Sequence, residues 1–115
     1  MVMQLMNLDE PPTAIFAQYD NIALGAMRRL REEGISVPDD VSIIGFDDKE
    51  YCGFLTPRLS SIENQCAEIA SIAVKILKRK MLDPDYRAVQ TVSVKATYHP
   101  RESVAPPRAS VRLRP

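Results

Sequence analysis

The stretch "VSIIGFDDKEY", Val41 to Tyr51, carries an apolar run straight into two adjacent carboxylates, Asp47 and Asp48. Carboxylates can serve acid–base work, bind an amine, or accept hydroxyl hydrogen bonds from a sugar through charge-assisted bonds stronger than neutral ones. Neighbours on an extended chain point to opposite sides, so Asp47 and Asp48 make a poor acid–base dyad. One reading gives Asp47 to a ligand and Asp48 to the support of the loop. The other has both accepting backbone N–H groups in the turn after the strand.

The remaining reactive side chains are sparse. His99 is the only histidine, with no serine or cysteine nearby in a nucleophile motif, and it reads as a bystander. Cys52 and Cys66 lie fourteen apart without a histidine cluster, so neither a disulfide framework nor a zinc site is expected; both thiols read as reduced and structural. No phosphate-cradling glycine motif is present. The sequence thus predicts no enzyme, no metal and no cofactor.

The elements that must position the aspartates can be read from periodicity. At 115 residues the chain can bury one core, and 45% hydrophobic against 26% charged residues marks a globular rather than a disordered chain. Fifteen basic residues balance fifteen acidic ones, so no global field draws this segment to nucleic acid or membrane. The apolar runs stop short of the roughly 18 residues of a spanning helix, and "MVMQLMNLDEPP" lacks a basic leader; a cytoplasmic location is expected. "TAIFAQ", Thr13 to Gln18, reads as a strand. Ala23, Ala26, Met27 and Leu30 then repeat at three and four, with Asp20 as the expected N-cap and Gly34 as the stop. Ile22 and Leu24 fall off that stripe and suggest a second apolar surface for a partner.

Val41 to Phe46 is a strand covered on both faces. Strand, helix, strand is a βαβ unit, which places both strand ends on one edge and brings Gln18, Tyr19 and Asp20 near Asp47 and Asp48. A second helix is expected over about Asn64 to Met81. Alternation at Val92, Val94, Ala96 and Tyr98 predicts a strand with one buried face. The expected class is α/β, a parallel sheet with flanking helices.

Taken together, "PPTAIFAQYDNIALGAMRRLREEGISVPDDVSIIGFDDKEYCGFLTPRLSSIENQ" and the later "HPRESVAPP" resemble transcription regulators of the lactose and galactose repressor (LacI/GalR) family. The resemblance implies a partial periplasmic-binding-protein-like (type I) effector domain. Its expected division is a C-terminal part of the effector-binding and dimerisation domain over 1–107. Within it, 11–60 is the βαβ of the distal lobe, 64–82 a helix of the other lobe and 88–99 a returning strand; 108–115 is a flexible tail. The DNA-binding helix-turn-helix headpiece of the family is absent, so the chain is expected to be a fragment that reaches DNA only through that part.

By the same resemblance Asp47 matches a ligand-contacting aspartate, and Tyr19 stands where most members carry an effector-contacting Asn. Asn64 stands at a polar contact from the segment crossing between lobes. Leu24, Tyr51, Phe54 and Leu55 match the dimer surface, with Asp20 and Asp48 kept as cap and loop support. The implied partners are a small-molecule effector, a sugar by default, and a second copy of the chain. A sugar-binding receptor of an ABC uptake system has the same fold and is the alternative.

Overall fold

The computed structural model describes residues 1–83 and 85–107, and the expected tail 108–115 lies outside the described residues. In chain order the elements are α1 (Val2–Met6), β1 (Ala14–Phe16), α2 (Asp20–Glu32), β2 (Ser42–Phe46), a 3₁₀ turn (Glu50–Gly53), β3 (Ser60–Glu63), α3 (Cys66–Leu82) and β4 (Thr97–His99). The strands form one sheet in the order β1-β2-β3-β4. β1 pairs with β2, and β2 with β3, in parallel, with Ile15 opposite Ile43 and Gly45 opposite Ser61. The α/β reading with a parallel βαβ unit is what the structure contains. The described residues divide into two compact units, one of Met1–Glu63 with 98–107, the other Asn64–Thr97.

The first unit is built around α2 and β2. Ala23, Met27 and Leu30 are buried at helical spacing, and they close on Val41, Ile43 and Leu59, each fully buried. Full burial of such side chains contributes about 1.5–3 kcal/mol each. The outer face of α2 holds exposed pairs such as Arg28–Glu32 at 3.1 Å, whose contribution is small in water. The helix ends where Gly34 takes φ 73. Ile35 N–H then donates to Leu30 O at 2.9 Å, closing a left-handed cap that a side chain would disfavour.

Gly45 is the point where α2 meets the sheet. A Cβ there would collide with the Asp20 carboxylate and come within 3.2 Å of Leu59 and 3.3 Å of Asp20 Cα. Only hydrogen lets the start of α2 rest so close to β2.

β3 was hidden in the sequence because two of its four residues are serines, which strands seldom favour on propensity grounds. Ser60 and Ser61 are fully buried all the same, as is Ser103. Their hydroxyls are satisfied: Ser103 Oγ donates to Ile43 O at 2.6 Å and accepts from Ser60 N–H at 2.8 Å, and Ser60 Oγ accepts Arg101 N–H at 2.8 Å. Buried hydroxyls bonded in this way stitch the segment after β4 to the sheet instead of weakening it. Glu63 faces His99, Ser60 faces Arg101, and Arg58 O accepts Ser103 N–H. The numbers rise on one side as they fall on the other, so this stretch runs antiparallel to β3.

The second unit consists of α3 and the chain that follows it. α3 has no buried residue. Arg79 lies over the Tyr86 ring at 4.3 Å, and Gln65 Nε2 donates to Thr97 Oγ1 at 3.2 Å. The returning strand expected over 88–99 is confined to Thr97–His99. Val92 is 53% exposed, so its alternating pattern has no face to bury it. Alternation assigns side chains to two faces, but a strand forms only where a neighbour takes up its N–H and C=O groups. Cys66 is exposed, contrary to the expectation that both thiols are structural, whereas Cys52 is buried; both are free.

Candidate functional site

The carboxyl ends of β1, β2 and β3 converge on the loop Asp47–Asp48–Lys49. Both aspartates take positive φ, 104 at Asp47 and 50 at Asp48. Non-glycine residues are rare in this region and are held there only when their surroundings over-determine them. Three backbone donors contribute to this. Asp47 N–H donates to Ile62 O at 2.8 Å, Asp48 N–H to Ser61 Oγ at 3.1 Å, and Lys49 N–H to Asp20 Oδ2 at 2.7 Å.

Asp20 is therefore not the helix cap that its position suggested. Tyr19 is the N-cap residue and makes no side-chain cap bond. Asp20 is the first residue of α2, fully buried, and its second carboxylate oxygen accepts the Ser61 hydroxyl at 2.6 Å. The competing donors across the sheet are stronger claimants than the helix's own N–H groups, because they are buried and have no water to turn to. The bonding places Asp20 under the Asp47–Asp48 loop, as the βαβ reading predicts.

Asp48 is tied down by Arg101. The guanidinium reaches Asp48 Oδ1 at 2.5 Å and Oδ2 at 3.2 Å while donating to Leu59 O at 2.8 Å. This fork-to-carboxylate geometry holds the arginine proton more firmly than usual, first through the Asp48 hydrogen bond. His99 Nε2 lies 3.6 Å from Asp48 and 2.9 Å from Glu63. Asp47 makes a looser contact: its side chain keeps 25% of its exposure, and the cation recorded near it is Lys49 Nζ at 3.8 Å. Neighbouring carboxylates in the sequence thus have different settings, one clamped and one open.

Beside them lies an aromatic wall. Phe16, Gln18, Tyr19 and Phe46 line a hollow of about 390 Å³. The Phe16 and Phe46 rings meet edge to face at 6.5 Å and 78°. Phe16 is 60% exposed and Tyr19 46%, which is unusual for rings at a strand end. Asp47 follows Phe46 in the chain and is not itself among the residues lining the hollow. Phe16 and Phe46 were missed in the sequence because each looked like one more core residue of its strand; their odd spacing from the buried Ala17 and Ile43, which puts them on the opposite face, was the available signal. Asn64 opens the second unit, where its carbonyl accepts Cys66 N–H at 2.7 Å, and it is not among the residues lining the hollow.

The residues assigned to dimerisation divide. Leu24, Phe54 and Leu55 line a groove of about 540 Å³ together with Met27, Arg28 and Arg31. Phe54 is 80% exposed there. Tyr51 packs against the core instead, and burial pushes its phenol up from the usual range, with Asp20 adding to the effect.

Nucleophilic chemistry finds little purchase. Burial, followed by its contact with Asp20, pushes the Cys52 thiol up to about 12, so no thiolate forms at neutral pH. Among the described residues no three His, Cys, Asp or Glu side chains are placed to hold a metal ion.

The sequence matches the model of the periplasmic binding protein-like domain over residues 1–104. It is 38% identical to the probable HTH-type transcriptional repressor ExuR of Bacillus subtilis over 85 residues, covering 74% of this chain and 26% of that one. With the ribose operon repressor of Haemophilus influenzae it shares 34% identity, covering 90% of this chain and 31% of the relative. It thus spans about a quarter to a third of these curated relatives. Among solved structures, a putative LacI transcriptional regulator from Bacillus cereus superposes with a TM-score of 0.82 at 30% identity, over 90% of this chain and 36% of that one. A LacI family regulator from Enterococcus faecalis with bound ribose gives a TM-score of 0.77 at 28% identity, over 91% and 38%. The chain belongs to the family of periplasmic binding protein-like domains, and within it to those of LacI-family regulators.

Proposed function

We propose that this chain is the C-terminal part of the effector domain of a repressor-type transcription regulator, and that it contributes one wall of a sugar site. The observation that carries this is the pairing of an open carboxylate with exposed rings at the carboxyl ends of parallel strands. Ligands of α/β sheets collect at that edge. Asp47 accepts sugar hydroxyls through charge-assisted bonds, and Phe16, Tyr19 and Phe46 offer faces for the apolar side of the ring. Tyr19 adds a hydroxyl where an amide would otherwise stand. Asn64 supplies a polar contact from the segment that crosses to the other lobe, to which 64–82 belongs.

Binding then shifts the balance between two lobe arrangements, and with it the affinity of a helix-turn-helix headpiece for DNA. The regulator is cytoplasmic and not an enzyme, and it works as a homodimer through the Leu24 and Phe54 groove; no helix of the described residues is long and apolar enough to cross a membrane. The relatives named above are repressors, so the uptake receptor gains no support from them.

D-ribose is the first sugar to test, because it is bound in two regulators of similar structure. In titration calorimetry Asp47→Asn is expected to weaken ribose binding about tenfold or more, as loss of a charged acceptor costs about 1.5–3 kcal/mol. Equal affinity in the variant and the parent would remove Asp47 from the site.

A further inference from the structure

The Asp47–Asp48 loop poses a mechanical problem that its backbone bonds solve only in part. Two consecutive residues with positive φ are costly in a chain of L-amino acids. The three backbone donors of the loop hold part of its path. The tightest side-chain anchorage among the described residues is the Arg101 fork on both Asp48 oxygens, closer than His99 Nε2 at 3.6 Å from Asp48 and Lys49 Nζ at 3.8 Å from Asp47. Arg101 is itself immobilised, since its N–H donates to Ser60 Oγ at 2.8 Å and its guanidinium to Leu59 O at 2.8 Å. The Arg101 side chain is only 21% exposed and that of Asp48 13%, so water screens the pair weakly.

We propose that Arg101 is a positioning residue: through Asp48 it holds Asp47 in the left-handed conformation from which Asp47 meets the effector, without touching the effector itself. This rests on the reading of Asp47 as a ligand carboxylate. The chain of contacts is short. Pull Arg101 away and Asp48 loses its fork; the loop then relaxes toward extended φ, and the Asp47 side chain turns with it. A lysine at 101 keeps the charge and loses the fork, so it restores the position in part. The neighbouring pair Arg58–Glu102, 2.8 Å apart and exposed, ties the same segment to the start of β3 without reaching the loop. It provides the control for a merely structural role.

The test uses the full chain, isotope-labelled, in the parent and in Arg101→Gln, Arg101→Lys, Asp48→Asn and Glu102→Gln. Two quantities are read: the Asp47 Cα and Cβ shifts with the HN–Hα coupling, which report its φ, and D-ribose affinity by calorimetry. Arg101→Gln and Asp48→Asn are expected to move Asp47 off its positive φ and to weaken ribose by about tenfold. Arg101→Lys recovers part of both, and Glu102→Gln changes neither. An Asp47 signal unmoved in Arg101→Gln overturns the proposal, as does an equal displacement in Glu102→Gln. Should Arg101→Gln fail to fold, Asp48→Asn and Arg101→Lys carry the same comparison. A displaced Asp47 with ribose affinity unchanged in Asp47→Asn upholds the clamp and overturns the ligand reading instead, and a parent that shows no heat with ribose leaves the backbone signals to decide the clamp.

Discussion

α2 and α3 both repeat apolar residues at intervals of three and four, yet α2 buries Ala23, Met27 and Leu30 while α3 buries none. In the unit of α2 the stripe meets a parallel sheet whose own residues, Val41 and Ile43, are fully buried. In the unit of α3 Arg79 lies over Tyr86 and the described residues that follow show no regular pairing before Thr97, and Val74, Leu77 and Met81 remain 62%, 58% and 73% exposed. An amphipathic pattern therefore specifies which face of a helix is apolar. It does not specify that the cover for that face lies in the same unit.

The widest gap between the two helices is expected in urea denaturation. Leu30→Ala removes a fully buried side chain and should cost about 2–5 kcal/mol, whereas Leu77→Ala on the open face of α3 should stay within about 0.5 kcal/mol. Similar losses at both positions would mean that α3 is covered in solution, most simply by a second copy, and the contrast would dissolve. The flank of α2 lies between these extremes. Leu24 is 38% exposed at the Phe54 groove, so Leu24→Asp should leave the fold intact and shift light-scattering mass toward monomer. Unchanged mass at matched concentration would rule out this flank as the self-association surface.

The thiols give the finest version of the same comparison. Cys66, at the start of α3, is exposed and should react with a thiol reagent in the folded chain, while Cys52 should react only on unfolding. Because burial raises the Cys52 thiol from 9 to about 12, its contribution to stability is complete below pH 9. As pH rises from 9 toward 12 the unfolded chain gives up that proton and the folded one does not, so the contribution is lost. Replacing Cys52 by Ala should flatten the fall in urea midpoint between pH 8 and pH 10; an unaltered slope would place the alkaline sensitivity elsewhere.

The fold and the site were legible to different depths. Val41 to Phe46 and the stripe from Ala23 to Leu30 announce a parallel βαβ unit, since hydrophobic period is a local property of the chain. β3 was not legible, because Ser60 and Ser61 owe their places to partners about forty residues away in the sequence, Arg101 and Ser103 for one and Asp20 for the other. The strand read from Val92 to Tyr98 shows the converse: a correct period without a neighbour yields only Thr97–His99.

By itself the sequence determined the α/β class, the edge at which Tyr19, Asp20, Asp47 and Asp48 gather, and the family to which the chain belongs. These follow from spacing along one strand–helix–strand unit and from motifs written contiguously. Only the tertiary structure decided which donors each carboxylate meets. Asp20 left the helix cap for Ser61 and Lys49, Asp48 was taken by Arg101 from the far end of the chain, and Asp47, next to Phe46 in the chain, kept the looser contact with Lys49. Three aspartates have the same chemistry on paper; what distinguishes them is the competition among donors that the folded chain brings within reach.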